Sequence, residues 1–325
     1  MARCPRRSMC GVPSRSSLML VLLLILLGLL GGCGTSTTTG SSHPSGSTLT
    51  PTRELKGMIS EFPIPTPNNQ LGDITAGPDD AVWFTEVIPN AQNSSVTITG
   101  KIGRITPAGQ ISEFSLSSNS FANDITTGPD GAIWFTEIIP NLQSGTLVGK
   151  IGRITPAGQI SEFPVPTRSN LLGITAGPDG NLWFTELQSG KIGRITPTGT
   201  ISEFPLPSGS QPTSITTGPD NALWFTEVVS IPNTKGESGK IGRITPTGTI
   251  SEFPLPPNSS SDDITAGPDG NLWFTEPGKI GRITPTGTIS EFPLPTSEST
   301  SAFITTGPDG AIWFTERSSK IGRLA

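Results

Sequence analysis

The chain repeats itself, and the repeat limits what it can fold into more than any other feature does. WFTE occurs six times, led by Trp83, Trp134, Trp183, Trp224, Trp273 and Trp313. KIGR occurs six times, opening at Lys101, Lys150, Lys191, Lys240, Lys279 and Lys320. ISEF also occurs six times, ending at Phe62, Phe114, Phe163, Phe204, Phe253 and Phe292. Successive Trp residues are 40 to 51 apart, and each unit holds four short segments of the kinds DITAG, LWFTE, KIGRIT and TISEF. All four are rich in β-branched or aromatic residues and are bounded by Gly or Pro, as strands are. Four strands per unit at this period is the pattern of a propeller blade, which must stack on its neighbours to bury its apolar faces. Gly and Pro together number 71 of 325 residues, which suits a chain of many turns.

Spacing separates fixed connections from variable ones. From the Ile of each IT to the next Trp is nine residues in all six units, through GPDG, with Asp80 and Asn221 replacing the last Gly in two of them. Gly, Asp and Asn tolerate positive φ, so a tight turn closed by a left-handed residue is expected. From Lys to the next ISEF Phe is 13 residues in all five complete cases, through TPAG or TPTG. Between the WFTE Glu and the KIGR Lys, however, lie 14, 12, 4, 12, 2 and 3 residues. In an antiparallel four-stranded blade both fixed turns fall on one face and the variable links on the other. Function is expected on that variable face, on a rim built by segments 87–100, 138–149 and 228–239.

The repeats begin with a fourth-strand segment, 58–62, and end after a third-strand segment. The expected fold is therefore all-β, a six-bladed β-propeller over 52–325 with four-stranded antiparallel blades. The N-terminal strand would complete the last blade, close the ring and remove its open edge.

Residues 1–33 read as a targeting segment. Arg3, Arg6, Arg7 and Arg15 precede or flank a 13-residue apolar run, 18–30, without any acidic residue. That run is short of the roughly 20 residues that span a bilayer. It ends in Leu30-Gly31-Gly32-Cys33, which resembles the lipobox of bacterial lipoproteins, whose Cys carries the lipid. An ordinary cleaved signal and an uncleaved anchor are the alternatives. The expectation is an exported protein, lipid-anchored through Cys33 on the outer side of a bacterial membrane, with 34–51 as a Thr/Ser/Gly-rich tether.

Composition removes several chemistries. The only His is His43, in the tether, so a catalytic triad and a multi-His zinc site are excluded. Cys4 and Cys10 fall in the leader and Cys33 would be blocked by lipid, which leaves no free thiol. Removing the four leader Arg from 21 basic residues leaves 17 against 26 acidic ones, a net charge near −9. That balance argues against nucleic acid. A monomer is expected, with a small ligand or an envelope protein as partner on the variable face.

ITAGPDGNLWFTE followed by GKIGRITPTGTISEFPLP resembles the repeat of the virginiamycin B lyase (streptogramin lyase) family, and the resemblance runs over about 58–325. It implies seven blades as the alternative to six, and a Mg-dependent carbon–oxygen lyase that opens a cyclic lactone without water. The family places catalytic His at the second position of P-H-G-I-T-like segments. The matching positions here are Gly72, Asn123, Leu172, Thr213, Asp262 and Ala302, so no catalytic residue is carried over. The expected function is a ligand-binding or interaction module; the alternative is the Mg-dependent lyase with a remade site.

Three groups are candidate contacts. Glu86, Glu137, Glu186, Glu227, Glu276 and Glu316 end the WFTE strings on the variable face. They could ligate Mg or pair with the Lys opening the next KIGR, and the one-to-one count favours pairing. Asp73, Asn123, Asp124, Asp262 and Asp263 stand where first strands begin, as ligand or cation contacts or as Asx turns. Phe121 and Phe303 are the aromatics outside the repeat, suited to ligand stacking or to loop packing. The GPDG aspartates need no role beyond the turn.

Overall fold

A computed structural model of the protein describes residues 60–92, 95–141, 146–230, 237–257, 259–295, 301–316 and 320–325. The leader with Cys33, the tether 34–51 and the beginning of segment 58–62 lie outside the described residues. The chain divides into two compact units, Met1–Ile64 and Pro65–Ala325, and the second carries the repeats. Among the described residues it holds 23 strands, β1 to β23, and no helix.

Five sheets have four antiparallel strands in chain order. They run from β1 (Gln70–Ala76) to β4 (Ile111–Ser115), β5 (Phe121–Thr127) to β8 (Ile160–Pro164), and β9 (Leu171–Ala176) to β12 (Ile201–Pro205). Then follow β13 (Ser210–Thr217) to β16 (Ile250–Pro254) and β17 (Ile264–Ala266) to β20 (Ile289–Pro293). The sixth has three strands, β21 (Ser301–Thr306), β22 (Ile312–Glu316) and β23 (Lys320–Leu324). First strands of successive sheets lie side by side. This is the all-β, propeller-type architecture that the repeat predicts.

Each letter of WFTE has a structural task, visible in sheet three. Trp183 is fully buried and, with Ile192, packs on Ile215, Leu223 and Phe225 of the next sheet. Phe184 faces Gly193 across the ladder, and its ring lies where a Cβ on that Gly would sit. Only Gly allows this approach, and the same overlap recurs at Gly103, Gly152, Gly242, Gly281 and Gly322. Thr185 Oγ1 accepts the N–H of Gly173 at 2.9 Å, where the first strand bulges away from the ladder. The same bond recurs in the other five sheets, at Asp73, Asp124, Ser214, Asp263 and Phe303.

The GPDG turn closes as expected, with φ of 57° at Asp80, 55° at Asn221 and 73° at Gly180. Its Asp does more than turn the chain, which corrects the sequence expectation. Asp179 Oδ1 accepts the Trp183 indole N–H at 3.0 Å, and Arg194 stands 5.5 Å over the same ring and 3.7 Å from Asp179 Oδ2. Burial raises the Asp179 carboxyl, but the bonds from Trp183 and Asn181 outweigh that and hold it below its ordinary value. Asp179→Ala leaves a buried indole N–H without an acceptor, so a loss of about 1–3 kcal/mol is expected in chemical denaturation.

Apolar packing is divided among seams between sheets, each joining the Trp and Ile face of one sheet to the Ile and Phe face of the next. Six sheets give five such seams, and among the described residues the outward faces of sheets one and six carry exposed Ile side chains. Ile74 of sheet one is 65% exposed, while its equivalents Ile125, Ile174, Ile215, Ile264 and Ile304 are 4–6% exposed. Ile321 of sheet six is 73% exposed, against 0–1% at Ile102, Ile151, Ile192, Ile241 and Ile280. Closure by a fourth strand on sheet six is not part of the described fold, since 60–62 is not in a strand. A closed six-blade ring would bury Ile74 and Ile321.

Candidate functional site

The long variable links are mostly ladder rather than loop. β2 (Val82–Gln92) and β3 (Ser95–Ile105) stay paired from Val87↔Gly100 out to Gln92↔Ser95. β6 (Ile133–Asn141) with β7 (Thr146–Ile154), and β14 (Leu223–Ser230) with β15 (Glu237–Ile244), extend in the same way. These hairpins wall the variable face beside the starts of the first strands. Asn119, at φ 59°, ties two of them together: its Oδ1 accepts the Ile98 N–H at 3.4 Å and its Nδ2 donates to Pro140 O at 3.1 Å.

Inside this wall the entries to the first strands bring Asp73, Asp124 and Asp263 toward one another. Asp73 Oδ2 accepts the N–H of Ile125 at 3.2 Å, Asp124 Oδ2 that of Ile174 at 2.7 Å, and Asp263 Oδ2 that of Ile304 at 2.9 Å. Each carboxylate therefore stitches its sheet to the next. Asp124 Oδ1 also accepts Ile125 N–H at 2.9 Å, while Asp263 Oδ1 accepts Ser214 Oγ–H at 2.7 Å and Ile264 N–H at 2.9 Å. Burial, with Asp73 beside it, pushes the Asp124 carboxyl well above its ordinary range. Burial raises Asp263 too, with a smaller contribution from the Asp73 charge. Asn123 Nδ2 donates to Leu172 O at 3.3 Å, and Asp262 is partly buried just before β17.

The two extra-repeat aromatics part company. Phe121 is 4% exposed and packs with Ile98 and Ile138 beneath the hairpins, so it offers no stacking face and the ligand-contact expectation is corrected there. Phe303 is 71% exposed on sheet six.

The WFTE glutamates are not gathered into one site. Each of Glu86, Glu137, Glu186, Glu227 and Glu276 lies on its own second strand, 0–1% exposed. In sheets one to four the expected ion pair with the KIGR Lys is also corrected. The Lys stands opposite in the ladder, but its ammonium bonds to the ISEF Glu of the fourth strand. Lys101–Glu113, Lys150–Glu162, Lys191–Glu203, Lys240–Glu252 and Lys279–Glu291 are 2.5–2.8 Å apart. The buried Glu instead holds a variable-face loop: Asn69 Nδ2 donates to Glu86 at 3.2 Å, Ser117 Oγ to Glu137 at 2.9 Å, and Ser189 Oγ to Glu186 at 2.9 Å.

These donors do not fit Mg. The axial carboxylates are committed to backbone N–H groups, the glutamates are dispersed over separate sheets, and no group of three acidic, His or Cys side chains among the described residues is placed to hold a metal ion.

Comparison with known proteins places this geometry. The profile of the Virginiamycin B lyase family matches residues 51–230 and 229–325. A catalytically inactive His-to-Ala variant of virginiamycin B lyase from Staphylococcus aureus, solved with quinupristin, is 42% identical, with a TM-score of 0.69 over 84% of this chain and 86% of that one. A streptogramin B lyase structure is 35% identical, with a TM-score of 0.60 over 82% of this chain and 96% of that one. No curated protein sequence matches the chain. Family profile and solved relatives agree over nearly all of the repeat region: the chain belongs to the virginiamycin B lyase family.

Proposed function

We propose that the chain is a ligand-binding module on the lyase fold, one that holds a cyclic lactone without opening it. One observation carries the reading. Residues 51–325, the part matched to the family, contain no His, whereas replacing one His by Ala gives the catalytically inactive S. aureus relative. That variant was solved with quinupristin, which supports binding without turnover. In this reading Asp73, Asn123, Asp262 and Phe303 meet the ligand at the mouth of the first strands, between the extended hairpins. The domain is carried outside the cell on a lipid at Cys33, and an envelope protein is the alternative occupant of the same face.

A lyase with a remade site is the second reading, and Asp124 favours it. A carboxyl whose burial raises it well above the ordinary Asp range is a better general base than an ordinary Asp. Against it, both Asp124 oxygens already accept backbone N–H groups.

Calorimetric titration with quinupristin tests the proposal. Saturable binding with a dissociation constant below about 100 μM is expected, equal with and without Mg. Absence of binding at that concentration contradicts it.

A further inference from the structure

The variable link of sheet three is short where its neighbours are long. Four residues, 187–190, join β10 (Leu182–Glu186) to β11 (Lys191–Ile195), whereas the same link holds 12 residues on either side, 138–149 and 228–239. Sheet three therefore turns back before a hairpin can lean over the start of sheet four. The first strand of sheet four differs to match. Gln211 stands opposite Val228, the ladder place that Phe121 holds opposite Ile138 in sheet two. Phe121 packs with Ile98 of the neighbouring hairpin and fills the space beneath it. At Gln211 the aromatic ring and the covering hairpin are both missing. A cavity of about 230 Å³ opens there on the variable face, between the turn 188–190 and the loop 206–211.

Backbone contacts fix both walls. Leu206 N–H donates to Gly190 O at 2.9 Å, and Ser210 N–H to Pro207 O at 3.2 Å. Gly190, at φ 60°, comes so near Ser210 that a Cβ on it would lie 2.7 Å from the Ser210 carbonyl oxygen. Side chains set what the cavity offers. Gln188 Oε1 accepts the Asn170 N–H, which leaves the Gln188 amide N–H groups as donors. Ser189 Oγ donates to Glu186 at 2.9 Å, which leaves its lone pairs as acceptors. Exposed Ser208 and partly buried Gln211 can both donate and accept, and exposed Pro207 adds an apolar edge. None of the lining side chains among the described residues is charged. An anion meets no cation there and a cation no carboxylate, so a neutral ligand rich in hydroxyl groups is the matching class. At about 30 Å³ per water the cavity has room for about seven, the scale of one sugar ring.

We propose that the cavity between sheets three and four binds one neutral sugar ring. Its hydroxyls meet Gln188, Ser189, Ser208 and Gln211, and one C–H face lies on Pro207. The site uses none of the residues assigned to the lactone, Asp73, Asn123, Asp262 and Phe303, so the two stand or fall separately.

Saturation-transfer NMR on the purified chain tests it, with glucose and N-acetylglucosamine as probes and glucuronate as the charged counterpart. Saturable binding of at least one neutral sugar is expected, with a dissociation constant between about 0.1 and 10 mM, and binding of glucuronate at least about tenfold weaker. Cellobiose and chitobiose separate the sources of such a ring: tighter binding of the disaccharide assigns a glycan chain, and equal binding a free sugar. Ser208→Trp and Gln211→Phe fill the cavity and should each weaken binding at least about tenfold. No binding of either neutral sugar at about 50 mM, equal binding of glucuronate, or unchanged binding in the folded variants overturns the site. If neither variant folds, amide shifts of the native chain decide. Sugar-induced shifts centred on 188–190 and 206–211 support the site, and shifts centred elsewhere refute it.

Discussion

Replacing Trp183 by Ala should cost about 3–5 kcal/mol, whereas the same change at Trp313 should cost less than about half of that. The two Trp residues occupy the same place in the repeat, so chemistry and local register are matched. What differs is the neighbouring sheet. Trp183 is fully buried, stacks on Phe204 at 5.3 Å between centroids and meets Ile215 and Phe225 across a seam. Trp313 belongs to the end sheet, whose outward face has Ile321 73% exposed. It keeps its Asp309 bond at 3.0 Å and its Arg323 contact at 5.6 Å, so those terms drop out of the comparison. Urea unfolding followed by circular dichroism measures both variants. Equal losses would show that Trp313 is enclosed, as in a closed ring of six blades, and would contradict the open end faces.

The repeat makes most of the fold legible from residue order alone. Strand number per unit, the two fixed turns, the left-handed turn residue and the variable face all follow from spacing, because a propeller's strands and turns are local features. Closure did not follow in the same way. Whether sheet six meets sheet one depends on the angle accumulated over many seams, and no residue spacing encodes that angle.

The site was harder to read for physical reasons particular to each group. Every unit offers the KIGR Lys two glutamates, one from WFTE and one from ISEF, and counting cannot choose between them. The ladder places the WFTE Glu opposite the Lys, yet enclosure leaves it at the buried end while the ISEF Glu keeps solvent and takes the ion pair. The GPDG Asp looked like turn chemistry alone, although its constant place four residues before Trp was a signal for the indole bond. Phe121 gave no such signal: only the extension of β2–β3 and β6–β7 into hairpins covers it. The first-strand aspartates were read as metal contacts or Asx turns. Asp124 and Asp263 do bond to the N–H of the next residue, but their stronger role is to join neighbouring sheets.

Turnover is the largest effect at stake. Opening a lactone by elimination needs a positioned base beside the leaving oxygen, and loss of such a base typically costs about 10²–10⁴-fold in rate. No His lies within residues 51–325, and the raised Asp124 carboxyl is held on both oxygens by Ile125 and Ile174. The direct measurement is loss of quinupristin lactone, followed by mass spectrometry over hours at micromolar protein, with and without Mg. Intact lactone is expected in both, alongside saturable binding. Robust Mg-dependent opening would contradict it and would assign the chain the chemistry of its family.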